Sequence, residues 1–288
     1  MATGSGGSDP TASAERKAAV ARARSAHETS RAEHHESLAD LALTDVLKDV
    51  HLRIAAVHRS TAACHLTAAR LQEGYAGRLA AWAGAALDTP PPLFMTGVAA
   101  ACGSSSVALT LVGATLDQLA LAASDQPARA AQELEFLLGE GPAREATSRV
   151  RPVTAVGTAL LDRWPGYGPA VAELGIAEVA AVPLSLAGAC VGALAVFDPA
   201  PGIVGTGTFA EVAEALTRSM ILNPNGDPGL YGGADLRAEV HQAAGMVSVQ
   251  LDCSVADALE LIKAHAFAEG VSANTVAEGI VQGRLRLG

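Results

Sequence analysis

The sequence predicts an α+β chain in three parts: a long N-terminal helix able to form a coiled coil, an antiparallel sheet with flanking helices, and a C-terminal three-helix unit. Three observations predict it. Apolar residues recur at 3-4 spacing through 39–86, where proline is absent. Short apolar runs separated by turn residues fill 107–197. Amphipathic segments then follow a Pro/Gly stretch at 223–233, which reads as a linker.

Composition narrows the class. The 288 residues suit about two domains with extensions. Half are hydrophobic, yet only 3% are aromatic and alanine dominates, which favours helix. No apolar run reaches roughly 18 residues, so no membrane span is expected. The opening MATGSGGSDPTASAERK lacks the apolar core of a signal peptide. Cys64, Cys102, Cys190 and Cys253 lie far apart without a CxxC pair, which fits a reduced cytosol and a cytoplasmic placement. A formal net charge of −10 argues against nonspecific nucleic-acid binding, which draws on basic surface.

Residues 1–38 pass from a Gly/Ser/Pro start to an Ala/Arg/Glu/His run and are expected as a disordered, charged tail. In the helix expected over 39–86, the seam is Leu47, Val50, Ile54, Val57, Thr61, Cys64, Ala68, Leu71, Tyr75 and Trp82, interrupted by Arg78. Such a seam wants a partner helix, and a parallel dimer would bring two C-terminal units together. His51, His58 and His65 fall seven apart beside the seam, two turns from one another and too distant to chelate one ion from a single helix. They are read as a solvated flank. Ligation across a dimer is the alternative, and no metal or cofactor is expected.

LDTPPPL at 87–93 ends the helix and opens the region 87–222. A short helix is expected near 94–102, then strands at 107–112 and 116–122 joined through Gly113 and Ala114. A helix follows at 132–138, with strands at 152–155, 179–186 and 190–197. The last two strands turn at LAG, 186–188, and a helix over 209–222 closes the region. Hairpins with flanking helices give an antiparallel sheet.

The region 234–288 divides into helices by periodicity and caps. The first carries Leu236, Val240, Ala243, Ala244, Val247 and Leu251. Ser254 three residues before Asp257 opens the second, which Gly270 ends. Asn274 is expected to cap the third, whose inner face is Val276, Ala277, Ile280, Val281 and Leu285. A unit this small buries little surface and calls for support from docking or dimerisation.

The segments VHQAAGMVSVQL, ADALELIKAHAFAEG and VAEGIVQGRLR resemble an ANTAR domain, over essentially all of 234–288. That resemblance implies an RNA-binding module of bacterial transcription antiterminators, a dimer gripping paired RNA hairpin loops. LGEGPAREA and LLDRWPGYGPAVAELGIAEVAAVPLSLAGACVGALAVFDPAPG resemble the second half of a GAF domain of the type found ahead of ANTAR modules in actinobacterial regulators. That resemblance implies an antiparallel sheet with a pocket for a small molecule or partner on one face. In relatives a Cys often follows GEGP; here it is Ala143, which removes redox or covalent chemistry at that position.

The candidate residues follow. Gly141 would sit in a turn at the pocket rim, and Trp164 and Tyr167 would either line the pocket or anchor the core. In the ANTAR-like unit, Ala243 and Gly245 match the family's small-residue positions. A helix-interior glycine is costly, so close approach of RNA backbone or of a neighbouring helix would explain Gly245. Phe267 would stack a loop base or belong to the core. Arg237, His241, Lys263 and Arg284 would reach phosphates or stand as solvated surface, and Gln242 is suited to a base edge. No GxSxG, HExxH, kinase or DxDxG pattern is present, nor a GxGxxG or GxxxxGK[ST] phosphate loop, so catalysis is not expected.

Overall fold

The computed structural model describes residues 9–86, 88–186, 189–202, 207–218 and 235–288. Two long helices come first, α1 (Pro10–Asp40) and α2 (Asp45–Ala83), folded back on each other as a hairpin. Asp9 accepts from the Thr11 N–H with Pro10 in the first turn, and Thr44 caps α2 at the Leu47 N–H. The buried faces are stripes of alanine: Ala14, Ala18, Ala21, Ala32 and Ala39 on α1, with Ala55, Ala62, Ala69 and Ala76 on α2. Small side chains let the backbones come close, and Ser25 Oγ donates across the seam to the Ala62 carbonyl at 2.9 Å. Arg59 with Glu36, and Arg22 with Glu73, pair along the rims.

The tail expected over 1–38 is therefore a helix from Pro10 onward, with residues 1–8 outside the described part. It is also a partner of the seam helix, supplied by the same chain. The histidines are corrected with it. His58 is buried with Nδ1 2.6 Å from Glu28 Oε2, and His51 Nδ1 lies 3.1 Å from His35 Nδ1, so both face α1 rather than water. Among the described residues no three His, Cys, Asp or Glu side chains are grouped to hold a metal. The predicted seam splits: Cys64, Ala68 and Leu71 are buried, whereas Leu47, Val50 and Val57 are exposed.

The sheet region follows as α3 (Phe94–Ala101), β1 (Ser106–Val112), β2 (Gln118–Ala123), α4 (Gln126–Leu138) and α5 (Pro142–Arg149). It continues with β3 (Val153–Val156), α6 (Thr158–Arg163), α7 (Tyr167–Glu173), β4 (Glu178–Leu186), β5 (Ala189–Phe197) and α8 (Thr208–Leu216). With the two-residue strand β6 (Asp235–Leu236) the order is β3-β4-β5-β1-β2-β6, and every pairing is antiparallel. One face packs Val107, Leu109, Val182, Leu194 and Val196 against α2, α3 and α8. The opposite face packs Ala108, Leu121, Ala181, Ala193 and Phe197 against α4 to α7. Cover on both faces explains why VAAVPLSL and CVGALAVF are continuous apolar runs instead of alternating ones.

The expected strands are present within a residue or two, and β1 meets β2 through a five-residue connection, 113–117, in which Leu116 takes φ 64. Residues 187–188 of the expected LAG turn, 219–222 of the expected closing helix and the linker 223–233 lie outside the described residues. The short helices α5, α6 and α7 were not anticipated.

The chain ends in α9 (Ala238–Leu251), α10 (Val255–Glu269) and α11 (Ala273–Val281), whose core includes Val240, Ala244, Val247, Ile262 and Ile280. Ser254 caps α10 by accepting from the Asp257 N–H at 3.1 Å, and Gly270 closes it in the left-handed conformation. Ser272, not Asn274, caps α11. Among the described residues no helix is long and apolar enough to cross a membrane.

Candidate functional site

The site is the junction between α4 and the C-terminal helices. Along α4, Gln132 and Glu135 turn in toward the sheet region, while Glu133, Phe136 and Leu137 meet the C-terminal unit. The chain arrives by adding β6 to the free edge of β2, and the Arg237 N–H then donates to the Leu119 carbonyl at 3.0 Å. Arg237 is fully buried. Its Nη2 donates to Glu133 Oε2 at 2.5 Å, Nη1 to Asn274 Oδ1 at 3.1 Å and Nε to Gln118 Oε1 at 3.2 Å. The guanidinium also lies 4.4 Å from the Phe136 ring centroid. The other Glu133 oxygen accepts the Ala273 N–H at 2.7 Å, so one carboxylate holds the starts of both α9 and α11. Asn274 lies in the first turn of α11, behind the Ser272 cap, and its oxygen serves Arg237.

Two further candidates turn the same way. His241 Nε2 stands 3.3 Å from the Gln118 carbonyl. Lys263 is 7% exposed, pairs with Glu260 at 2.8 Å and lies 5.4 Å from the Phe136 centroid. Arg237, His241 and Lys263, expected to reach phosphates or stand as solvated surface, are therefore contacts within the molecule. Ala243 is fully buried in the helical core and presents nothing outward.

Gln242 and Arg284 are exposed, and Phe267 is 54% exposed, which removes its core reading. Gly245 keeps the α9 face open: a Cβ placed there would meet nothing within 4 Å. Packing against a helix of the same chain is thus not its reason. Val249 and Leu261 are exposed as well.

A cavity of about 80 Å³ opens at the junction, lined by Gln132, Glu135, Phe136 and Arg144 from the sheet region and by Leu259 and Lys263 from α10. Glu135 is its unusual group. Burial pushes its carboxyl up to about 7, against the backbone N–H groups of Arg144 and Ala143 and the Gln132 amide, which hold it down. Thr110 in turn bonds Gln132. Gly141 explains how the acid fits: at φ 152, a Cβ there would fall 2.7 Å from the Glu135 side chain. It underlies Glu135 instead of forming a rim. Trp164 and Tyr167 do not line the cavity. They are buried edge to face, 5.9 Å apart, in the core under α5 and α7, which selects the core reading over the pocket one.

Sequence reasoning missed Gln118, Glu133, Glu135, Phe136 and Asn274. A helix was expected at 132–138, but nothing in QELEF says which acid meets a neighbouring unit. Compared with protein-family models, with curated proteins and with solved structures, the chain matches none of them.

Proposed function

We propose that this chain is a non-enzymatic RNA-binding regulator of transcription antitermination, in which a GAF-like sensor, 87–222, controls an ANTAR-like unit, 234–288. The unit binds paired hairpin loops of leader transcripts as a homodimer. The observation that carries the reading is the junction: α10 and the buried acid Glu135 line one cavity, Arg237 is tied to Glu133 on α4, and Lys263, paired with Glu260 on its own helix, lies over Phe136 of α4. An effector seated there, small molecule or protein segment, would act on both units at once and release cations for RNA. Gln242, Gly245, Phe267 and Arg284 are the residues left for first contact. The exposed apolar row Leu43, Val46, Leu47 and Val50 at the hairpin tip suits a second copy.

The test is binding of the full-length protein to a tandem-hairpin RNA and to its loop-scrambled control across salt concentrations. Loop-dependent binding is expected, with a log–log salt slope no steeper than about −3, since few cations are free. The second reading is a ligand-sensing or protein-interaction scaffold whose ANTAR-like tail does not bind RNA. The buried Arg237 and Lys263 in an acidic chain favour it, and equal affinity for both RNAs would select it.

A further inference from the structure

On the sheet face opposite the junction, α2, α3 and α8 enclose a cleft of about 270 Å³. Arg78 reaches into it from α2. Its Nε and Nη2 are shielded from solvent and have no hydrogen-bond partner among the described residues. Gly97 makes the space it occupies, and Gly74 borders it. A Cβ at Gly97 on α3 would fall 2.1 Å from Nη2, and one at Gly74 on α2 would fall 3.4 Å from Nη1. Glycine inside a helix costs stability relative to alanine, so Gly97 accommodates the guanidinium at a cost to α3. Arg70, Thr67 and Thr208 line the same cleft and can donate to one guest. Glu211 also lines it, yet it does not pair with Arg78. Burial lowers the affinity of Arg78 for its proton, and among the described residues Tyr75 offsets this.

Arg78 is half-buried, and the side of its guanidinium that is withdrawn from water is ordinarily the side that is paired. Water could satisfy its N–H groups but not its charge, whereas a guanidinium fork matches the paired oxygens of phosphate or carboxylate. We propose that this cleft is an anion site in which Arg78, assisted by Arg70, holds the phosphate or carboxylate group of a small soluble molecule. The guest would tie α2 to α3 and α8, and so couple the hairpin to the sheet region from the side away from the junction.

The experiment is isothermal titration of inorganic phosphate, and separately of acetate, into the full-length protein, with chloride at matched ionic strength as the blank. The wild type binds at least one of the two anions beyond chloride. Arg78→Met weakens that binding by about tenfold or more, and Gly97→Ala, whose methyl displaces the guanidinium, weakens it similarly. Arg70→Gln, at an exposed position, reduces it several-fold without touching the fold. Binding of phosphate alone assigns a phosphorylated guest, and comparable acetate binding assigns a carboxylated one. No anion binding beyond chloride, or undiminished binding by Arg78→Met, overturns the site. Should Arg78→Met fail to fold, undiminished binding by Arg70→Gln overturns it instead.

Discussion

Arg237 withdraws its whole guanidinium from water and the half-buried Arg78 withdraws Nε and Nη2, on opposite sides of one sheet, and their surroundings treat them differently. Arg237 meets a carboxylate, two side-chain amides and an aromatic face, all within one junction. Arg78 meets two glycines and a cleft, with Nε and Nη2 unpartnered among the described residues. The difference teaches that burial alone does not say what an arginine is for. A fully partnered one is a fastener between elements, and removing it strands its partner. An unpartnered one weakens the fold it sits in until something outside supplies the missing charge. The two should therefore respond to the same substitution with opposite signs.

The largest effect is expected at the fastener. Arg237→Met leaves Glu133 facing the junction alone and should cost about 3–5 kcal/mol, toward the lower end because water reaches part of that carboxylate. Denaturant unfolding reads the loss, and amide exchange should accelerate in α9 and α11. A loss under about 1 kcal/mol would place the pair among surface ion pairs and break the contrast.

Next comes the buried acid beside that fastener. Folded, Glu135 keeps its proton to about pH 7, while its ordinary value is 4.5. Between these values the folded state binds more protons than the unfolded one, so stability falls as pH rises. The fall approaches about 3 kcal/mol above pH 7, and Glu135→Gln should flatten it. Unfolding curves from pH 4.5 to 8 check this, and an identical slope in the variant would contradict it.

The opposite sign is expected at Arg78. Arg78→Met should raise stability by about 1 kcal/mol in a buffer free of oxyanions, because it removes unsatisfied donors while keeping the bulk. A clear loss in that buffer would mean that the guanidinium is partnered after all. The smallest effect tests the open face of α9: Gly245→Ala should stabilise the free protein by about 0.5–1 kcal/mol, since nothing in the chain occupies that space. If RNA comes close there, the same variant binds the tandem hairpin more weakly.

The parts of the fold legible in the sequence are those where one residue's chemistry decides locally. Ser254 and Gly270 mark the ends of α10 whatever surrounds them, and the apolar runs at 179–186 and 190–197 announce strands. The parts that were not legible depend on what lies across a gap. The helix α1 buries little but alanine, so its polar surface reads as a disordered tail until α2 is laid beside it. Arg237 looks like a surface cation because its partner, Glu133, is over a hundred residues away in the chain, and so is the Phe136 ring that helps bury Lys263. Asn274 reads as a cap, but Ser272 two residues earlier takes that place and Asn274 accepts from Arg237 across the junction. Trp164 and Tyr167 stand open between pocket and core in the sequence, where the scarcity of aromatics favours a core anchor, and only the packing under α5 and α7 decides it.

Glu133→Gln tests the central claim most directly, because Glu133 is not among the proposed RNA contacts and its loss removes the charge that holds Arg237. Affinity for the tandem-hairpin RNA would be measured for wild type and variant in the same salt, with amide exchange of α9 to α11 followed in parallel. The account predicts faster exchange at the junction together with tighter, loop-dependent RNA binding by the variant. Faster exchange with no gain in loop-dependent binding would contradict it, leaving the junction as a structural joint and the unit beyond it without a role in RNA recognition.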